Sequence, residues 1–434
     1  MRIKSIHIKG LFDTFEHFIP FNQEDRITII HAPNGFGKTI ILKILYGLLK
    51  MDFSIFEKVP FDSFTINLDD NSKIEILRTT ELNYKNSKKY SYNISYIKNN
   101  NSQNLYKKLD CEKNEFRRNN ISEEERNKNL ILANSKLKTI DIFDLRYKQG
   151  LDVSCWYSIF QIDNNIHFIE TQRVLMIDEE IMEDHVYALE TSNNILVNSV
   201  SKYATELKDI IEDTLNEYAT TSQNLERTFP NRLITQKKQE NLTIENIKNE
   251  LNYLEERRKK LQEVGLWDNE NQQDMSFQIP ESTDAASLNV LNLYIQDANK
   301  KLAVFENLEK KIALFKNIIN SRFQFKQMKI DKKKGFLFLT HKGKNLDSND
   351  LSSGEQHQLI LLYQMLFKVK ENDLVLLDEP EISLHIIWQE KFLDDLVKII
   401  ELNPFDVVIT THAPEIINDR WDLSIGLTKN KENA

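Results

Sequence analysis

Glycine and proline are scarce in this chain, at 10 and 8 of 434 residues. So few turn formers leave little room for loops and imply much helix. Cysteine is scarcer still: Cys111 and Cys155 stand alone. They have neither metal-ligand spacing nor a redox pair, so both read as buried structural thiols in a reduced, cytoplasmic protein. No uncharged apolar run reaches the ~18 residues that a membrane span needs. The opening Met1-Arg2-Ile3-Lys4-Ser5-Ile6-His7-Ile8 alternates like a strand and has no signal-peptide core. Basic charge is outweighed, 57 Lys and Arg against 66 Asp and Glu, for a net −9. That balance argues against the whole molecule being an electrostatic nucleic-acid binder. The runs Arg257-Arg258-Lys259-Lys260 and Lys332-Lys333-Lys334 read as solvated faces that could still touch phosphate.

What is present is an apolar fraction of 40%, enough for a sizeable core, over a length that predicts two or three domains. Residues 1–50 read as strand, loop, strand (Arg26 to His31), glycine loop and helix (Lys38 to Leu49). Phe64 to Leu68 and Ile74 to Leu77 alternate as in an antiparallel sheet. Residues 99–135 are polar with little periodicity, a mobile insertion or a solvated helix pair. Trp156 to Asp163 and Ile166 to Glu170 look like strands, the second ending in Thr171-Gln172-Arg173.

From about 195 to 325 the pattern is helical. Leu291, Tyr294, Ala298, Phe305, Leu308, Ile312, Phe315 and Ile319 follow steps of three and four, and only Lys301 breaks the seam. Ile247, Leu251, Leu254, Leu261 and Val264, stopped by Gly265, offer a partner helix, and residues 266–286 read as the loop between. A helical arm doubling back fits, with helices of ~35 residues reaching roughly 50 Å; a helical subdomain packed on the remainder is the alternative. Beyond it, Met328 to Ile330 and Phe336 to Thr340 make a hairpin, and strands then alternate with helices as in a parallel sheet.

Four motifs carry chemistry. Ala32-Pro33-Asn34-Gly35-Phe36-Gly37-Lys38-Thr39, before Ile40 and an apolar helix, is a glycine loop whose backbone N–H groups can surround phosphates. Lys38 suits the β- and γ-phosphates and the Thr39 hydroxyl suits Mg²⁺. Ala32 stands where the pattern wants glycine, which predicts a slightly altered turn. The second motif is Leu374-Val375-Leu376-Leu377-Asp378-Glu379-Pro380, a buried strand delivering two carboxylates at its C-terminal end. Asp378 is placed to hold Mg²⁺ and Glu379 to polarise the attacking water. Third, Leu351-Ser352-Ser353-Gly354-Glu355 precedes a helix 27 residues before Asp378. Alone it is a helix cap; at this spacing it reads as a second phosphate-facing helix start. Fourth, His412 ends a core strand 33 residues beyond Glu379, where it can sense a γ-phosphate.

In this order the motifs resemble the ABC ATPase superfamily: P-loop, signature, Walker B with catalytic Glu, and switch His. The helical stretch between P-loop and signature resembles the SMC/RecF/OLD branch, and Asp378 to His385 is similar to OLD-type stand-alone ATPases. The resemblance implies an α/β fold: an ABC ATPase head of parallel sheet plus antiparallel β-subdomain, with a helical, short coiled-coil insertion. The expected division is 1–190 head, 191–325 arm and 326–434 head, with residues 50–150 matching nothing. It implies catalytic Glu379 and His412, nucleotide binding by Asn34, Gly35, Phe36, Gly37, Lys38, Thr39 and Ile40, and Mg²⁺ on Thr39, Asp378 and a Q-loop glutamine, Gln172 rather than Gln161. Ser352, Ser353, Gly354 and Glu355 would cover ATP bound to a second copy, with Ile382 to His385 along the seam. Phe12 and Phe15 fit core packing better than an adenine contact.

OLD proteins carry a nuclease after the ATPase, and only 22 residues follow His412, so a nuclease is expected on a separate protein. Two functions stay open. In one, the chain is a homo-oligomeric sensor or scaffold in anti-phage defence, resembling the ATPases of PARIS or Septu systems and governing a nuclease effector, with DNA or a phage protein as a further partner and no membrane. In the other, it is a RecF-like clamp for DNA repair.

Overall fold

Uniformly apolar runs become buried central strands in this chain, and alternating runs become strands with one face on the core. A computed structural model describes residues 2–50, 52, 54–82, 88–97, 105–111, 166–170, 175–177, 196–235, 242–267, 279–346, 350–382 and 384–428. The described strands are β1 (Ile3–Leu11), β2 (Phe15–Pro20), β3 (Ile27–His31), β4 (Ser63–Leu68), β5 (Lys73–Leu82), β6 (Lys88–Ile97), β7 (Leu105–Cys111) and β8 (Ile166–Ile169). They continue with β9 (Leu175–Ile177), β10 (Leu196–Asn198), β11 (Lys326–Asp331), β12 (Gly335–Thr340), β13 (Asn345–Leu346), β14 (Leu374–Asp378), β15 (Asp406–Thr411) and β16 (Ser424–Gly426). The helices are α1 (Lys38–Lys50), α2 (Ser54–Lys58), α3 (Ser199–Thr235), α4 (Ile244–Val264), α5 (Ala285–Ala303), α6 (Glu306–Arg322), α7 (Ser353–Tyr363), α8 (Ile386–Glu390), α9 (Phe392–Leu402) and α10 (Pro414–Ile417).

Two units form. The first comprises Met1–Phe168, Lys370–Glu379 and Phe405–Ala434. It holds an antiparallel sheet in the order β2-β1-β4-β5-β6-β7 and a five-stranded sheet in the order β16-β3-β15-β14-β8. In the latter, β3 runs parallel to β15 and β16, and β15 parallel to β14. Every residue of β14 is buried, as are five of six in β15. Helix α1 is docked by Ile41, Leu42, Ile44, Leu45 and Leu48, all fully buried in a core shared with both sheets. The α/β class, with a parallel sheet and an antiparallel sheet, is as expected. One difference is β7, which pairs with β6 inside the stretch read as an insertion or helix pair; the strand expected at 156–163 lies outside the described residues.

The second unit, Ile169–Val369 and Pro380–Pro404, carries the helices. Helix α3 runs for 37 residues and packs against β12, α5 and α7. Gly265 caps α4 at φ 94°, and its N–H bonds Gln262 O, the expected stop. Ile247, Leu251, Leu254, Leu261 and Val264 are all buried. The second seam holds only in part. Ala298, Phe305, Leu308, Ile312, Phe315 and Ile319 are buried, but Tyr294 is 39% exposed and Leu291 half-buried. Helix α5 contacts both α3 and α4, so it buries a broader set, Leu288, Leu293, Ile295 and Leu302. The expected continuous helix breaks between Ala303 and Glu306, where Phe305 turns inward onto Tyr218 and Trp267. Lys301, the apparent fault in the seam, pairs with Glu226 of α3 at 3.0 Å. Arg232 near the end of α3 clamps the buried Asp297 of α5 through both carboxylate oxygens, at 2.5 and 2.7 Å.

Candidate functional site

The first unit builds its site at the C-terminal ends of three parallel strands. Strand β3 delivers the chain into the loop 32–37, and α1 leads away from it. Positive φ within the loop is confined to Gly35, at 88°, and Gly37, at 84°. A Cβ on Gly37 would lie 2.6 Å from the Leu11 side chain, which would have to shift. Ala32 needs no glycine, because its φ is negative; its carbonyl accepts a hydrogen bond from Lys38 Nζ at 2.8 Å. A second bond, to Pro33 O at 3.3 Å, leaves Lys38 one donor of its three. Lys38 is buried, while Asn34 and Gly35 are exposed and Phe36, Gly37, Thr39 and Ile40 half-buried.

Across the sheet the register sets Asp378 beside Thr410. Thr39 Oγ1 and Thr410 Oγ1 both donate to Asp378 Oδ1, at 2.9 and 2.6 Å, and Asp378 is only 7% exposed. Glu379 follows with φ 46°, a left-handed backbone that costs a non-glycine residue roughly 1–2 kcal/mol. Its N–H donates to Thr410 O at 2.9 Å, which helps to hold it there. His412 Nδ1 stands 3.7 Å from Glu379 Oε1, at the charge-contact limit rather than in a hydrogen bond. Thus Lys38, Thr39, Asp378, Glu379 and His412, drawn from both ends of the chain, share one site.

Behind the loop, His31 ends β3 edge-on to Trp421, and burial followed by the Lys38 charge pushes its pKa below the ordinary value. Phe15 stacks on His17 and leans against Phe36, core packing as expected. Phe12 is different: it is 40% exposed at φ 54°. His17 is 3% exposed, bonds Phe36 O at 3.2 Å, and is held below its usual pKa by burial.

In the second unit, Ser352 is the N-cap of α7. Its N–H donates to Glu355 Oε2 at 2.7 Å, and its Oγ accepts weakly from Glu355 N at 3.4 Å. Lys326 of β11 also donates to Glu355 Oε2, at 2.7 Å. Ser353 and Gly354 form the first turn of α7. The helix-cap reading of this motif is therefore realised within the unit. Gln172 and Gln161 lie outside the described residues, as does Ser383.

A donor set of one threonine hydroxyl and one carboxylate suits Mg²⁺, which keeps waters and phosphate oxygens as its other ligands. Among the described residues no three His, Cys, Asp or Glu side chains gather as a closed metal cage. A glycine loop at a helix start, a buried lysine and this donor pair fit a nucleotide polyphosphate with its metal.

Comparison with known proteins agrees on the coarse class. The family model described as "AAA domain, putative AbiEii toxin, Type IV TA system" matches residues 33–418, most of the chain. The chain belongs to this family. It is an AAA-type ATPase domain. Similar solved structures include the SMC head domain from Thermotoga maritima, 14% identical over 99% of this chain and 95% of that one, with a TM-score of 0.32. Another is the SMC head bound to the C-terminal winged-helix domain of ScpA, 11% identical over 99% and 95%, with a TM-score of 0.35. No curated protein matches.

Sequence reasoning missed Thr410 and His17 in this AAA domain. Thr410 was legible only as part of a strand, and the register signal needs the sheet order. His17 sits ten residues before the strand that leads to the loop, and nothing in its spacing marks it.

Proposed function

We propose that this AAA-domain ATPase binds and slowly hydrolyses ATP in sites completed by a second copy, and that the assembled state is a cytoplasmic sensor or scaffold controlling a separate nuclease effector in anti-phage defence. The observation that carries the enzymatic part is the meeting of Thr39 and Thr410 on Asp378 Oδ1, immediately before Glu379. The toxin–antitoxin wording of the family supports the defence setting. The functional division proposed is head 1–190, arm 191–325 and head 326–434.

Lys38 would neutralise the phosphates that the N–H groups of residues 34–40 surround. Thr39 and Asp378, with Gln172, would hold Mg²⁺, which supplies charge stabilisation on the phosphate oxygens when bound. Glu379 orients the attacking water and takes its proton, and His412 beside it responds to the γ-phosphate. Ser352, Ser353, Gly354 and Glu355 would meet the nucleotide of the partner copy, so turnover waits on association.

The test is solution mass with and without ATP, alongside hydrolysis. Glu379→Gln is expected to bind ATP, lose at least ~100-fold in rate and accumulate as an ATP-bound dimer or larger ring. Hydrolysis at the wild-type rate would remove Glu379 from the mechanism. Strong stimulation by DNA ends, without a co-purifying effector, would move the reading to the DNA-repair clamp.

A further inference from the structure

The glycine loop has a weakness that follows from its own chemistry. Gly37 tolerates either sign of φ, so the peptide joining Phe36 to Gly37 can turn over by changing only the torsions on its two sides. A trans peptide points its C=O and N–H in opposite directions. One orientation therefore offers Gly37 N–H to a phosphate, and the reverse offers a carbonyl, which repels it. The loop itself contains no side chain that would choose between them.

His17 does choose. It lies on β2, outside the loop, paired in register with Ile8 and 3% exposed. Its Nε2 is 3.2 Å from Phe36 O. A carbonyl oxygen only accepts, so Nε2 carries the proton and donates, in the neutral and the charged ring alike. Turning the peptide over would set Gly37 N–H against Nε2–H, leaving two donors facing each other in a buried place. Phe15 fixes the ring from one side, 5.6 Å away and nearly parallel, and itself leans on Phe36 at 5.4 Å.

We propose that His17 is a positioning residue for nucleotide binding, whose Nε2–H locks the Phe36–Gly37 peptide with the Gly37 N–H directed to the phosphate side. The inference rests on the loop being the nucleotide site. It predicts that the imidazole acts through one donor and not through its bulk. In the full-length chain, His17→Gln keeps an N–H donor at similar reach, and His17→Met keeps the length without it.

Titration calorimetry with Mg–ADP tests the pair, with melting temperature measured alongside. His17→Met is expected to bind about tenfold more weakly, the scale of one net hydrogen bond, and to raise KM for ATP with a smaller change in kcat. His17→Gln should stay within about threefold of wild type. A merely structural role would lower the melting temperature of both variants and leave the Kd of the folded fraction unchanged. His17→Met binding like wild type, or His17→Gln losing as much as His17→Met, overturns the assignment. If His17→Met fails to fold, His17→Phe removes the donor while keeping a ring, and carries the same expectation. The nucleotide reading fails separately, if wild type does not bind Mg–ADP or if Lys38→Ala binds it equally well.

Discussion

Two helix starts in this chain read from sequence as phosphate-facing, and they end up chemically opposite. Helix α1 begins without an acidic residue in its first turn, on a loop whose Gly35 faces open space. Helix α7 begins with its own carboxylate: Glu355 closes a capping box on Ser352 and takes Lys326 as well. Against a capping side chain, the Gly37 that precedes α1 forgoes about a few tenths of a kcal/mol. The five fully buried aliphatic side chains of α1, at about 1.5–3 kcal/mol each, cover the loss several times over. Tertiary burial lets the first start remain open for an anion, whereas the second is capped by its own carboxylate and has its anion already. A free chain is thus expected to take nucleotide at α1 and not at α7.

The most forceful way to break this comparison is Lys38→Ala. It removes the one buried cation at the open start, and Mg–ADP affinity is expected to drop by ~100-fold or more. Calorimetry showing binding within threefold of wild type would mean that the loop is not the anion site. Next in size is Thr410→Val, which keeps shape in a fully buried place and deletes one of two donors to Asp378. Loss of a hydrogen bond to a charged group, about 1.5–3 kcal/mol, should raise the Mg²⁺ concentration for half-maximal hydrolysis roughly tenfold with ADP affinity nearly unchanged. Ser352→Ala sharpens the contrast from the other side. Stability in urea should fall by about 1 kcal/mol, while ADP binding to the isolated monomer stays as in wild type; weaker monomer binding would show that α7 serves its own chain's nucleotide.

The smallest effect is one of pH. Burial lowers the folded pKa of both His17 and His31 from 6.5. The unfolded chain therefore takes up protons first as pH falls. Stability from this source is complete above ~6.5 and declines below it until the folded values are reached. His17→Gln should flatten the decline in urea midpoint between pH 7 and 5. A slope equal to wild type would clear His17 of that role.

Much of this was legible because periodicity and spacing report backbone. The strand at 374–378, the loop 34–39 and the stop at Gly265 each follow from local residue chemistry. Side-chain partnerships across the sheet were not legible, since Thr410 reaches Asp378 only once β15 lies beside β14 in the observed register. Heptad spacing also misled at α5. It assumes one partner helix, and α5 has two, so Tyr294 is left exposed and Leu293 is buried in its place. The dual use of Glu355, as cap and as expected phosphate neighbour, is invisible in a motif that reads the same either way.

The strand order β16-β3-β15-β14-β8 also has a consequence in time. Both sheet neighbours of β3 come from residues beyond 405, so a ribosome exposes the glycine loop long before any strand exists to pair with β3. During synthesis the early segment must wait as an unpaired apolar edge, the kind of long-range closure that folds slowly and invites aggregation. The same delay means that a prematurely terminated chain lacking β14 and β15 has no Asp378, no Glu379 and no flanking strand. Only translation carried past β15 brings Thr39, Asp378 and Glu379 together.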